Sequence, residues 1–209
     1  MDNSPDDEKL SAWVTAGLFA AWALHDAEEL AAGPRWVRRS LPRLRERFPA
    51  VPERAWRQLE AVDEREFPLA VAFVGVCVAA ASVAGHATGG RSAFYRATLD
   101  GFGLHGLVHL AQAAAVRGYT PGAVTSPLLV VPFTLWARGR LRRAGVLRPA
   151  RPRDLATGLA AAGVVTAAAH AAARAWGKNP HRRRLPQNPV SQQAKARFIS
   201  ANLSFIYRR

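Results

Sequence analysis

The sequence predicts an all-α fold, namely a polytopic transmembrane helix bundle of about five helices with an amphipathic surface helix in the first long loop. The apolar residues are gathered into five long runs, and arginines fill the connections between them. A helix needs about 20 apolar residues to cross the hydrocarbon of a bilayer, and the runs approach this length. Because backbone groups in lipid have to be hydrogen-bonded internally, such runs are expected to be helices rather than strands. A mean hydropathy near zero averages over both kinds of segment and hides the pattern.

The five apolar segments match a bilayer span to different degrees. They run over residues 11–32, 67–88, 99–118, 122–137 and 155–176. The second and the fifth are long and apolar enough to cross a membrane. The first and the third are marginal because carboxylates and imidazoles interrupt them, and the fourth is short and contains Pro127 and Pro132.

Composition divides the chain into an acidic amino-terminal segment over residues 1–10, the helix bundle over residues 11–176, and a basic, flexible tail over residues 177–209. Within the bundle, the connection between the first two spans mixes Arg with Glu. This mixture is typical of a helix that lies on a membrane surface. We expect such a helix from about Glu53 to Glu66, with Trp56 and Leu59 on its apolar side.

The composition also excludes several classes of protein. With 49% hydrophobic residues among 209, the chain is too apolar to be disordered. The single cysteine, Cys77, excludes a disulfide framework and any Cys-x-x-Cys motif. The net charge of +14 reflects a compositional bias toward arginine, so nucleic acid is not a predicted partner. We expect instead a multi-pass protein of the cell membrane, with membrane lipids as partners of its basic connections.

The most informative residues are polar ones inside the first apolar segment, which reads His25-Asp26-Ala27-Glu28-Glu29 at this point. An acidic residue at the centre of a membrane span costs about 2.5–3.5 kcal/mol, and less toward the interface. Carboxylates here therefore need a cation, a shared proton or an aqueous cavity. The plain alternative is a helix end that reaches water, where the acids are simply solvated.

Helical spacing predicts which of these side chains meet. At about 100° per residue, Glu28 and Glu29 lie within about 60° of His25, one on either side of it. Those three side chains are expected to face one cavity, whereas Asp26, about 100° away, is expected to lie at the interface or to orient a neighbouring side chain. A histidine with glutamate three or four residues away is a ligand arrangement found in four-helix metal sites.

The third apolar segment supplies a second set of candidate ligands. His105 and His109 are four residues apart and share one helix face, as two zinc-binding histidines do on a helix. The predicted metal ligands are therefore His25, Glu28, Glu29, His105 and His109. A mixed nitrogen and oxygen set of this kind suits zinc, iron or manganese. The plain alternative for the histidine pair is two interhelical hydrogen bonds, and the isolated His86 and His170 are expected to be structural.

The run His25-Asp26-Ala27-Glu28-Glu29 resembles the motif that names the HXXEE family, integral membrane proteins of unknown function. In that family a later helix carries Asn, three residues and His, followed by a Tyr-Ser/Thr-Pro-Gly turn and an apolar helix that contains Pro. The similarity extends over about residues 12–175, and its downstream part consists of His105 and His109, then Tyr119-Thr120-Pro121-Gly122, then Pro127 and Pro132.

Carried over by this resemblance, the signature polar residues are His25, Glu28, Glu29 and His109. His105 departs from the family pattern, which has Asn at this place, so it either adds a ligand or replaces a hydrogen-bonding amide. The His and Glu residues of the family suggest an enzyme, although the resemblance implies no established reaction.

Three functions are compatible with these residues. The first is a metal-dependent membrane enzyme in which Glu28 or Glu29 is the catalytic base toward a metal-bound water, with a lipid or another apolar molecule as substrate. The second is a proton-coupled transporter that uses the same residues as a relay, although the sequence shows no internal repeat of the kind that many carriers have. The third is a non-catalytic scaffold whose run Arg182-Arg183-Arg184 holds lipid or a partner.

Overall fold

The computed structural model describes residues 11–60, 66–147 and 152–177. This part of the chain forms the helices α1 (Ala12–Arg47), α2 (Glu53–Glu60), α3 (Glu66–Ala87), α4 (Ala93–Val116), α5 (Val131–Arg143) and α6 (Pro152–Gly177). The all-helical prediction is thereby confirmed for the described residues. The acidic segment 1–10 and residues 178–209 of the basic tail lie outside them. By its contacts the chain divides into two units, Met1–Arg174 and Ala175–Arg209, and the candidate site lies within the first.

The first helix is longer than the sequence predicts. We expected a connection from residue 33 onward, but α1 continues through Pro34 and Pro42 to Arg47. A proline inside a helix removes one hydrogen bond and costs about 3 kcal/mol, so other contacts have to hold the segment. Trp36 Nε1 donates to the Tyr119 carbonyl over 2.8 Å, and Arg47 Nε donates to the Ala115 carbonyl over 3.1 Å. The end of α1 is therefore tied to the end of α4.

The predicted surface helix is present as α2 over Glu53–Glu60, and residues 61–65 of its predicted range lie outside the described part of the chain. Trp56 and Leu59 share its apolar side as expected, but this side packs against α1, because Trp56 is buried with Leu41 and Leu44 and Leu59 packs against the same cluster. Apolar contacts to the extended α1 therefore hold α2 in place.

The main core lies where α1, α3, α4 and α5 meet. Its buried residues are Val14, Leu18, Ala21, Val78, Tyr95, Leu99, Phe102, Val130, Ala137 and Leu141. Glycine allows the closest approaches, since a Cβ on Gly85 would lie 2.5 Å from the Tyr95 ring and a Cβ on Gly75 would lie 2.6 Å from the Trp22 ring. The Tyr95 hydroxyl donates to the Val14 carbonyl, which ties α4 to the start of α1.

The fourth apolar segment folds as a π-helical turn, Ser126–Val130, that leads directly into α5. Pro127 and Pro132 each stand in the first turn of their element, where the missing N–H is tolerated. Arg138 was expected in a basic connection, but it lies in α5 and forms a largely buried ion pair with Asp100 of α4. The turn places Thr125, the residue before it, beside α1.

Among the described residues, one helix is long and apolar enough to cross a membrane, namely α3. Only 28% of its most apolar stretch of 18 residues is buried inside the protein. By contrast, α5 has only 13 residues, and α1 and α4 carry charged residues. The expectation of about five spans therefore remains a prediction.

Candidate metal centre

Four of the predicted ligands converge between α1 and α4. His25 and Glu29 project from α1, and His105 and His109 project from α4, so that one ligand atom from each lies within 4.8 Å of the others. Both pairs are four residues apart, which places each pair on one face of its helix. We call these four residues the His/Glu cluster.

The distances within the His/Glu cluster are those of neighbouring ligands around an ion. His109 Nε2 lies 3.1 Å from Glu29 Oε1 and 2.9 Å from His105 Nε2. Zinc bonds to nitrogen and oxygen of about 2.0–2.1 Å at tetrahedral angles place neighbouring ligand atoms about 3.3–3.4 Å apart. His105 Nε2 is somewhat farther from the second carboxylate oxygen, at 3.9 Å. The four donor atoms lie within 4.8 Å of one another, so the more distant of them have to move closer to bind one ion.

Burial makes the His/Glu cluster asymmetric. His25 is 0% exposed and His109 is 6% exposed. The side chain of Glu29 is 15% exposed and that of His105 is 42% exposed. The cluster is thus sealed on the His25 side and accessible on the Glu29 and His105 side.

The tautomer of His25 follows from its hydrogen-bonded neighbours. Thr125 Oγ1 lies 2.7 Å from Glu28 Oε2 and 2.7 Å from His25 Nδ1. A carboxylate only accepts, so the single hydroxyl proton of Thr125 goes to Glu28, and the hydroxyl oxygen accepts from Nδ1–H of His25. His25 Nε2 is then left with its lone pair. This atom is buried and has no hydrogen-bond partner among the described residues, which is the state a metal ligand requires.

Glu28 does not join the other predicted ligands. Its carboxylate accepts hydrogen bonds from the Tyr119 hydroxyl, the backbone N–H groups of Val124 and Thr125, and the Thr125 hydroxyl. Glu28 and Glu29 both lie near His25 but are about 100° apart on the helix, so only one of them can face α4. The grouping of Glu28 with the ligands is therefore revised, and Glu28 instead holds the loop that orients His25.

The loop with the Tyr-Thr-Pro-Gly turn forms one wall of the site. Gly122 has φ +80, and a Cβ at this position would lie 2.7 Å from His109 Nδ1. Both the positive φ and the lack of space therefore call for glycine. Partial burial, together with the hydrogen bond to Glu28, raises the pKa of Tyr119 to about 12, so the phenol keeps the proton that it donates. Sequence reasoning identified this turn but not the role of Thr125.

A cavity of about 250 Å³ adjoins the open side of the His/Glu cluster, between α1, α3, α4 and α6. Apolar side chains make up most of its wall, and Glu29 and His105 reach into one part of it. The other ionisable lining residues are Asp26, His170 and Cys77. Asp26 was expected at an interface, but it is 7% exposed, and its Oδ2 has no hydrogen-bond partner among the described residues.

The two remaining histidines of the apolar segments lie away from the His/Glu cluster. His86 is exposed at the end of α3. His170 Nδ1 lies 2.9 Å from Glu66 Oε1, and Arg174 Nε donates to the same oxygen over 2.8 Å. These contacts join α6 to the start of α3, in keeping with the structural role expected for His170.

The match to known proteins covers the part of the chain that builds the site. A family model described as a protein of unknown function with HXXEE motif matches residues 16–137, which is more than half of the chain. This range contains the His/Glu cluster, Glu28 and the loop with Thr125. No curated protein and no solved structure matches the sequence.

Proposed function

This chain belongs to the HXXEE family, whose function is unknown, and we propose that it is a multi-pass membrane protein with a metal-dependent enzymatic activity. In this proposal His25, Glu29, His105 and His109 bind a divalent transition-metal ion, and the substrate is a lipid or another apolar molecule. The observation that carries the proposal is the convergence of four ligand atoms from two helices within 4.8 Å.

Apolar side chains on the outside of the protein support the membrane location. Leu128 is 74% exposed and Val83 is 69% exposed, although both are large aliphatic residues. Trp13, Leu24, Leu128 and Trp136 line one shallow apolar depression between α1 and the α5 region. Exposed apolar surface of this kind is typical of proteins that contact lipid or a partner. Together with the poorly buried α3, it favours a bilayer as the surroundings.

The donor set and its surroundings support metal binding. Three imidazoles and one carboxylate suit zinc, iron or manganese. The fixed tautomer of His25 presents a buried lone pair, and the Thr125 hydroxyl and Glu28 hold this ring as an outer ligand shell does. An ion at this place would supply a Lewis acid and a bound water that ionises near neutral pH. We propose Glu29 rather than Glu28 as the carboxylate that meets the substrate, because Glu29 lines the cavity.

Metal analysis of the detergent-purified full chain tests this proposal. We expect about one zinc, iron or manganese ion per chain, and loss of most of it in Glu29→Gln and His109→Asn. His86→Asn is the matched control, because His86 is an exposed helical histidine outside the His/Glu cluster, and it should keep the ion. The absence of a stoichiometric ion, or equal metal content in all four proteins, would refute metal binding.

A proton relay is the second candidate function, and one contact favours it. The Nε2 atoms of His105 and His109 lie 2.9 Å apart, beside the Glu29 carboxylate. Three adjacent groups of this kind can pass a proton in the absence of metal. Proteoliposomes with a pH gradient distinguish the two functions, because a relay predicts proton flux that persists with chelator and is lost in Glu29→Gln. A metal-dependent enzyme predicts no such flux.

A further inference from the structure

We infer that the cavity beside the His/Glu cluster binds a single aliphatic chain that ends in a hydroxyl group, with the hydroxyl held by Asp26. This inference deepens the proposed function by naming the substrate class. It rests on that function only in placing the hydroxyl next to the metal ligands.

The headgroup chemistry follows from Asp26. Its side chain lines the cavity and is almost completely buried, yet Oδ2 has no hydrogen-bond partner among the described residues. A buried acceptor without a donor destabilises the protein, so a ligand that donates a hydrogen bond to it removes this cost and binds more tightly. A hydroxyl group is such a donor. Because Glu29 and His105 line the same cavity, the hydroxyl would stand beside the predicted metal ligands.

The same carboxylates disfavour an anionic headgroup. Asp26 and Glu29 lie three residues apart on α1 and both line the cavity. His170, which also lines the cavity, and Arg174 both contact Glu66. In the metal-free protein, a fatty acid would therefore place its carboxylate against two acidic side chains, which is an unfavourable contact that discriminates between ligands.

The tail chemistry follows from the rest of the wall. The residues contributed by α3 are aliphatic or aromatic apart from Cys77, and Trp22 of α1 covers one side. A volume of about 250 Å³ lies just under the range of about 300–1,000 Å³ that is usual for small-molecule sites. The cavity thus has room for one short chain and favours a single-chain alcohol over a bulkier lipid.

Quenching of Trp22 fluorescence by a brominated probe tests the inference. The probes are 8-bromo-1-octanol and 8-bromooctanoate, titrated into the full chain in detergent, both as purified and after treatment with a chelator. We expect a saturable component for the alcohol that unlabelled 1-octanol competes away. In the chelator-treated protein, half-saturation of this quenching by 8-bromooctanoate should require about ten-fold more probe than half-saturation by the alcohol. In Trp22→Phe this component should vanish, which assigns the quenching to the cavity.

Two substitutions at Asp26 identify the group that selects the headgroup. Asp26→Leu should weaken binding of the alcohol about ten-fold, because the acceptor is lost. Asp26→Asn keeps an acceptor in a side chain of the same shape, so the affinity for the alcohol should stay nearly unchanged. The affinity for 8-bromooctanoate should increase. The inference would be overturned by stronger binding of the carboxylate than of the alcohol to the chelator-treated native chain. Saturable quenching that survives Trp22→Phe, or no effect of Asp26→Leu, would overturn it as well.

Failure of this inference and failure of metal binding are distinguishable. The chelator-treated protein reports on the cavity alone, and metal analysis reports on the His/Glu cluster alone. Alcohol binding without a stoichiometric ion would leave the substrate class standing and remove the metal. A stoichiometric ion without alcohol binding would leave metal binding standing and remove the proposed substrate class.

Discussion

Single residues decide which polar groups of α1 join the His/Glu cluster. Spacing alone indicates that His25 and Glu29 face the same way, as His105 and His109 do, and the structure brings these four together. Spacing could not choose between Glu28 and Glu29, because both lie near His25. The choice depends on the loop with Thr125, and that loop reaches α1 only through the tertiary fold.

Replacement of Thr125 tests its role as the link between Glu28 and His25. In Thr125→Val the acceptor for His25 Nδ1–H is lost, so the ring can move its proton to Nε2 and lose the free lone pair. We expect metal affinity to fall about 10–100-fold, as for other outer-shell changes. Competition with a calibrated chelator measures this loss.

Thr125→Ser is the matched control, because it keeps the hydroxyl and should bind metal nearly as the native chain does. Nitrogen NMR of labelled histidine in metal-free protein should show His25 protonated at Nδ1 in the native chain and in Thr125→Ser. The same protonation pattern in Thr125→Val would contradict the proposed role of the hydroxyl.

Gly122 gives a second test at this scale. Gly122→Ala places a Cβ at φ +80 and only 2.7 Å from His109 Nδ1. The left-handed conformation alone costs about 1–2 kcal/mol for a residue with a side chain, and the clash displaces a predicted ligand. We expect a lower Tm and reduced metal content. Gly118→Ala is the matched control in the same loop, because nothing lies within 4 Å of its Cβ position, and equal effects of the two changes would refute this account.

At the scale of elements, the sequence predicts helices well and their ends less well. The apolar segments became α1, α3, α4, α5 and α6, and the amphipathic pattern around Trp56 became α2. The continuation of α1 past Pro34 was missed because the hydrogen bonds of Trp36 and Arg47 to the end of α4, which hold it, join residues far apart in the chain. A local proline signal cannot report such contacts.

The ion pair between α4 and α5 should be important for stability. Asp100 and Arg138 contact each other directly, with side chains 20% and 11% exposed. Removal of one partner of a largely buried pair leaves an uncompensated charge and costs about 3 kcal/mol. We therefore expect Asp100→Asn to lower Tm clearly, measured by thermal unfolding in detergent.

The double change Asp100→Asn with Arg138→Gln separates charge from packing. It should recover part of the lost stability, because no charge is then left unpaired. Additive losses in the double variant would show that the two residues contribute independently.

At the scale of the whole molecule, the sequence predicts a membrane location that the fold supports only partly. One described helix, α3, meets the length and apolarity of a span. The other helices carry ionised or polar groups that the bundle pairs internally, such as Asp100 with Arg138 and Glu29 with His109. The hydropathy of a segment does not show whether its charged groups are paired inside the bundle.

Membrane fractionation tests the location. The full chain expressed in a bacterial host should stay in the membrane pellet after extraction with alkaline carbonate, because exposed side chains such as Leu128 would then contact lipid. A peripheral protein released by the wash would contradict a multi-pass topology. Release by salt alone would point to attachment through the basic residues.

The central claim is that three imidazoles and one carboxylate surround one ion, and X-ray absorption at the metal edge measures this most directly. Purified protein should show nitrogen and oxygen neighbours at about 2.0–2.1 Å with the outer scattering of imidazole rings. This scattering should be weaker around the residual ion that His109→Asn retains. A shell of water oxygens alone, or imidazole scattering unchanged in that variant, would contradict the claim.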